Sequence, residues 1–144
     1  MKKPTAIMIH HTAVSYQFNH DQFVANNSYH KNQGYTRSSL GFYLGYNYEI
    51  NREGLIRQAR KDGEITCACY QKNMNDGHCL HIAIDGDFDH EQPFKNEIYA
   101  LRDKLRALTK KYSIIKSAIV FHRQYAPKSC PGKNMDLSFI RSLV

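Results

Sequence analysis

The sequence predicts an α/β fold in a single domain. Short β-prone apolar runs alternate along the chain with segments of helical period, and one of those segments carries a long, regular apolar stripe. With 144 residues and 42% hydrophobic content, the chain is long enough to bury one core without disulfide staples. No internal repeat or low-complexity stretch marks a second unit, so residues 1–144 are expected to form one domain.

Thr5 to Ile9 reads as a short buried strand, because Ile7 and Ile9 are β-prone and a run of this length suits a central position. If the extended geometry continues, His10 and His11 point to opposite faces, with His10 on the side of Ala6 and Met8. Asn19 to Lys31 predicts a helix of about three turns, capped by Asn19 or Asp21 and stopped at Gly34. Its apolar pattern is weak; Phe23, Val24 and Tyr29 are its inward candidates, and His30 is expected in a groove or at the surface. Thr36 to Leu40 is a polar connection. Tyr43 to Ile50 and Leu55 to Ala59 then form a hairpin around Asn51-Arg52-Glu53-Gly54, with glycine where positive φ is needed. Alternation puts Tyr46, Tyr48 and Ile50 on one face and Asn47 and Glu49 on the other.

Lys61 to Gly77 has no period and reads as a loop, followed by a strand over Leu80 to Gly86 and a turn at Asp87-Phe88-Asp89. Phe94 to Tyr112 is the regular helix, with Ile98, Leu101, Leu105, Leu108 and Tyr112 on one stripe and Arg102, Lys104, Arg106, Lys110 and Lys111 outside it. Ala118 to Phe121 is a last strand, and Asp136 can cap a short helix through Leu137, Ile140 and Val144.

Lys+Arg 20 against Asp+Glu 13 gives a formal charge of +7, a surface that attracts polyanions such as nucleic acid, anionic lipid or an acidic envelope polymer. A nucleic-acid binder would rest on that charge alone, since no basic-aromatic motif accompanies it, and no specific nucleic acid is expected as a partner. The apolar run before His10 is too short for a signal peptide, and no run is long enough for a transmembrane segment. Synthesis in the cytoplasm with reduced thiols is therefore expected for Cys67, Cys69, Cys79 and Cys130. Cys67, Cys69 and Cys79 with His78 or His81 could hold a structural metal, but their spacing fits no standard ribbon.

The segment Ile119 to Pro131, I-V-F-H-R-Q-Y-A-P-K-S-C-P, carries the chemistry. A strand ends on His122, and a Pro-bounded loop returns Cys130 eight residues later. Imidazole and thiolate are donors that zinc prefers, and a catalytic zinc takes three protein ligands, leaving a fourth position for water. His10-His11, at the end of the first apolar run, offers the third donor, and alternation lets only one of the pair share a site with His122. On spacing alone, His122 can equally be a strand-end histidine and Cys130 a small buried hydrophobe.

Four blocks together, I-H-H-T-A, Y-N-Y-E-I-N-R-E-G-L-I-R-Q-A-R, L-H-I-A-I-D-G-D-F-D and F-H-R-Q-Y-A-P-K-S-C-P, closely resemble one family. It is the zinc-dependent N-acetylmuramoyl-L-alanine amidases of the phage lysozyme and peptidoglycan-recognition-protein type. The resemblance implies a central mixed β-sheet flanked by helices and one zinc ion held by His10, His122 and Cys130. It further implies a catalytic tyrosine at Tyr46 and a catalytic lysine at Lys128. The implied reaction is hydrolysis of the amide between N-acetylmuramic acid and L-alanine in peptidoglycan. The implied setting is a monomeric phage-type endolysin that acts on the cell wall after release from the cytoplasm. The same fold also serves as a non-catalytic peptidoglycan-binding recognition module, which is the alternative expectation. The chain departs from its relatives at Cys79-Leu80-His81, where they usually read S-I-G, and at Thr66-Cys67-Ala68, where many read Ala-His-Ala. Some distant bacterial amidases carry glutamate at the position of Ala83, so the tyrosine branch is the better match.

Overall fold

The computed structural model describes residues 1–15 and 22–144. Strand β1 (Ala6–His11) lies between β4 (Cys79–Ile84) and β5 (Ile119–Phe121) and runs parallel to both. Beyond β4, strand β2 (Tyr48–Ile50) is parallel to β4 and forms an antiparallel hairpin with the edge strand β3 (Ile56–Gln58). The result is a mixed sheet of order β3-β2-β4-β1-β5, flanked by helices α1 (Gln22–Asn32), α2 (Lys95–Tyr112) and α3 (Leu137–Ser142). No helix among the described residues is long and apolar enough to cross a membrane.

Parallel strands covered on both faces read as continuous apolar runs, and β1 and β4 do so. Ile7 and Ile9 pair in register with Leu80 and Ile82, and this face packs on Leu101, Leu105 and Leu108 of α2. Each of those leucines contributes about 1.5–3 kcal/mol by leaving water. Met8 belongs to the other face, packed with Cys69, Met74, Cys79 and Val120. The strand continues two residues past Ile9, so His10 joins the Met8 face and His11 the α2 face. Asp136 caps α3, accepting from the Phe139 amide at 2.8 Å.

Two sequence expectations need correction. In α1, Phe23 is buried and His30 lines a groove, as expected, but Val24 and Tyr29 are each 60% exposed. The inner side of α1 is polar from Asn26 onward, which apolar periodicity does not detect. Asn27 Oδ1 accepts from the Tyr43 and Leu44 amides at 2.6 and 3.0 Å, and His30 Nδ1 accepts from the Gly45 amide at 2.9 Å. The expected caps Asn19 and Asp21 lie outside the described residues.

The hairpin is also shorter than its β-prone runs. Side chains satisfy the backbone before Tyr48: besides those α1 acceptors, the buried Arg60 guanidinium donates to the carbonyls of Leu44 at 2.7 Å and Thr36 at 2.5 Å. The Asn47 carbonyl then accepts from both Ala59 and Arg60 amides, a bulge-like pattern that ends the period of two. Tyr46 consequently leaves the face of Tyr48 and Ile50 and packs with Phe23, Leu44 and Ala59 on the other side. Gly54 closes the turn at φ +88°, where an added Cβ would meet the Asn96 carbonyl at 2.7 Å.

Glu97 in the first turn of α2 is 1% exposed. Its Oε1 accepts from the Phe94 amide at 3.0 Å, and burial pushes its carboxyl up to about 8. An unfolded glutamate ionises near 4.3, so ionising Glu97 removes stability progressively as pH rises from about 4.3 through 8. Glu97→Gln keeps the acceptor and removes that titration. Its unfolding free energy from urea titration is expected to match wild type near pH 4 and to exceed it by about 1 kcal/mol or more near pH 8; equal values at both pH values would contradict the assignment.

Candidate metal centre

Because β1 and β5 are adjacent and parallel, their C-terminal ends deliver His10 and His122 side by side. His122 opens a single 3-10 turn, His122–Gln124, and the following loop brings back Cys130. Arg123 holds that loop: its amide donates to the Cys130 carbonyl at 2.7 Å, and its guanidinium donates to the carbonyls of Gly132 at 2.8 Å and Met135 at 2.9 Å. Asp89 accepts from Ser129 Oγ at 2.6 Å and from the Lys133 amide at 2.9 Å. Sequence reasoning missed both Arg123 and Asp89; neither is distinguished by any local pattern.

The Nδ1 atoms of His10 and His122 are 3.2 Å apart, and Cys130 Sγ is 3.8 Å from His10 Nδ1. All three ligand atoms lie within 4.8 Å of one another, in the one metal-ligating group found among the described residues. Bond lengths of about 2.0–2.1 Å to nitrogen and 2.3 Å to sulfur at tetrahedral angles put donor atoms about 3.3–3.6 Å apart. The separations of His10 Nδ1 from His122 Nδ1 and Cys130 Sγ, 3.2 and 3.8 Å, are close to those values, so the residues present suit one zinc ion. His122 Nε2 is buried without a hydrogen-bond partner among the described residues, while its Nδ1 faces His10.

The electrostatics favour neutral donors. Burial, then the neighbouring His81 and His122, hold His10 well below the usual histidine range. Burial, then the Lys128 charge, push His122 down to about 4. Both imidazoles are therefore in the ligating form at pH 7. Burial pushes the Cys130 thiol up to about 11, against a hydrogen bond from the His11 backbone and the nearby Lys128 charge, which favour thiolate. A cation arriving at this site would have to displace the thiol proton.

His122 and Cys130 line a cleft of about 830 Å³ together with Tyr46, Lys128, His30 and Tyr35, and His10 is buried against His122. The Tyr46 ring lies 5.0 Å from that of His10, and burial raises its hydroxyl well above the usual tyrosine range. Lys128 is exposed at the rim. His30 stacks on Tyr35 at 4.5 Å, giving the cleft an aromatic wall that the weak period of α1 concealed. His11 also lines the cleft but is outside the ligand group, with its Nδ1 accepting from the Phe88 amide at 3.1 Å. All four cysteines are free thiols; Cys69 and Cys79 lie in the apolar cluster with Met8, and Cys67 lines the cleft. His81 was also missed as part of the site: its Nδ1 is 2.9 Å from His10 Nε2.

A family model described as N-acetylmuramoyl-L-alanine amidase matches residues 1–133. The chain belongs to this amidase family. No curated protein matches the amidase sequence closely enough to be informative. Among solved structures, the amidase domain is similar to N-acetylmuramoyl-L-alanine amidase LysC from Clostridium intestinale URNW, with TM-score 0.81, 24% identity, and coverage of 97% of this chain and 84% of that one. It is similar to the Ph2119 endolysin from Thermus scotoductus MAT2119 bacteriophage Ph2119, with TM-score 0.76, 21% identity, and coverage of 99% and 86%. Drosophila PGRP-LB matches with TM-score 0.78, 21% identity, and coverage of 99% and 82%. At these identities the likenesses describe a shared fold.

Proposed function

We propose that this amidase-family chain is a zinc-dependent enzyme that hydrolyses the amide between the lactyl group of N-acetylmuramic acid and the L-alanine of the stem peptide. The observation that carries this reading is the convergence of His10, His122 and Cys130, two neutral imidazoles and a thiol, beside a cleft that His122 and Cys130 line together with Tyr46 and Lys128. A zinc ion bound there supplies Lewis acidity, which acidifies water and polarises the amide carbonyl. His10, His122 and Cys130 would hold the ion through two imidazole nitrogens and a sulfur. Lys128 donates from its ammonium to the oxygen that becomes negative as the carbonyl turns tetrahedral. Tyr46, half-buried in the cleft with its ring against His10, offers its hydroxyl as a hydrogen-bond donor to the attacking water or the developing oxyanion. The aromatic wall of His30 and Tyr35 offers flat apolar surface to the substrate and helps to exclude water.

The amidase and endolysin names of the similar proteins support a lysin acting on the cell wall, and we propose that it acts as a monomer, made in the cytoplasm and released at host lysis. Peptidoglycan recognition without catalysis is the second reading, supported by the similarity to Drosophila PGRP-SD. That reading needs the cleft and leaves a convergent His-His-Cys set without a task.

Metal content tests the proposal. Purified protein is expected to carry about one zinc, and chelation should abolish wall-degrading activity that added zinc restores. His10→Ala is expected to lose the zinc. His11→Ala should retain it, because that ring faces Phe88. Zinc retained by His10→Ala and lost by His11→Ala would overturn the ligand assignment, and full activity in verified metal-free protein would overturn the zinc dependence.

A further inference from the structure

We propose that His81 is a positioning residue for the metal centre: it fixes the tautomer of His10 so that the His10 lone pair faces His122 and Cys130. The zinc part of this inference rests on the function proposed above; the tautomer part stands on hydrogen bonding alone. His81 Nε2 lies 2.7 Å from the Met74 carbonyl oxygen. A carbonyl only accepts, so Nε2 of His81 carries a hydrogen; the ring is 0% exposed and bonds to a carbonyl and an imidazole with no carboxylate, so it is neutral and its lone pair sits on Nδ1. That atom is 2.9 Å from His10 Nε2, which must therefore be the donor. His10 is left with its lone pair on Nδ1, the nitrogen that is 3.2 Å from His122 and 3.8 Å from Cys130. One carbonyl thus sets the orientation of two imidazoles in series.

The relay is rigid and dry. His10 and His81 are 1% and 0% exposed, so water does not compete for these bonds. The backbone of His81 is locked to Asn47 from both sides: its amide donates to Asn47 Oδ1 at 2.8 Å, and its carbonyl accepts from the Asn47 amide at 3.0 Å. The Met74 carbonyl belongs to a turn tied by Asn75, whose side chain accepts from the Ala68 and Cys69 amides and donates to the Cys69 carbonyl at 2.6 Å. Strand register supplies the rest, since His81 pairs with Met8 and thereby lies on the face that carries His10. Ligating histidines usually donate their second N–H to such an outer partner, and removing it commonly weakens metal binding by about 10–100-fold.

Long-range ¹H–¹⁵N correlation spectra of the metal-free protein and zinc affinities by chelator competition test this. Metal-free wild type should show His10 protonated on Nε2. His81→Phe keeps a ring but no acceptor; it should show mixed His10 tautomers and a zinc Kd weaker by about 10–100-fold. His81→Asn, which keeps an acceptor near the former Nδ1, should restore the tautomer and bring Kd to within about threefold of wild type. His10 protonated on Nδ1 in wild type, or a folded His81→Phe protein with wild-type Kd, would overturn the inference. Wild-type protein that binds no zinc would defeat the metal reading instead, and the His10 tautomer in wild type and His81→Phe would still decide the role of His81.

Discussion

Cys130→Ala is expected to purify folded, without zinc, and with wall-degrading activity at background. The side chain is 9% exposed and supplies the sulfur donor, and two imidazoles alone hold zinc far more weakly than the three-ligand set. Loss of a small thiol from a loop held independently by Arg123 and Asp89 should leave the fold in place. The titration of the same residue gives a second readout. In the metal-free protein the Cys130 thiol is pushed up to about 11 and His122 down to about 4, so between pH 6 and 8 the protein ligand that must shed a proton is the cysteine. Zinc affinity of wild type should therefore rise about tenfold per pH unit over that window, with about one proton released from the ligand set on binding. Affinity independent of pH, or a Cys130→Ala protein that keeps its zinc and activity, would show that the thiol is not a ligand.

Lys128→Ala separates metal holding from chemistry. Lys128 is an exposed rim residue two positions before Cys130 and takes no part in tying the loop through its side chain in any hydrogen bond found among the described residues. Its removal should spare the zinc and the fold while turnover falls by about a hundredfold or more, the usual consequence of losing a donor to a developing oxyanion. Tyr46→Phe is expected to lose activity in the same way with its zinc retained, because the ring still packs against His10 and only the hydroxyl is gone. Turnover of Lys128→Ala close to wild type would remove the lysine from the mechanism and leave the metal ligands unaffected.

Much of the scaffold was legible because its signals are local and apolar. The buried run of β1, the leucine stripe of α2 and the Asp136 cap each follow from period or capping chemistry within one segment. Strand parity was enough to separate His10 from His11, and the parallel pairing of β1 with β5 brings His10 beside His122. What stayed hidden depends on polar side chains that satisfy distant backbone. Asn27, His30 and Arg60 replace ladder hydrogen bonds before Tyr48, which shortens the hairpin and moves Tyr46 to the cleft face. His81 was likewise invisible as a neighbour of His10, because that contact depends on the register between β1 and β4 and on the position of the Met74 carbonyl.

The amidase reading is tested most directly by mass spectrometry of the soluble products from purified sacculi digested with the zinc-loaded protein. The account predicts stem peptides with a free N-terminal L-alanine, absent after chelation and restored by zinc, with the glycan strands left uncut. Products cleaved at a glycosidic bond or within the peptide cross-links, or no soluble product from zinc-loaded protein, would contradict it.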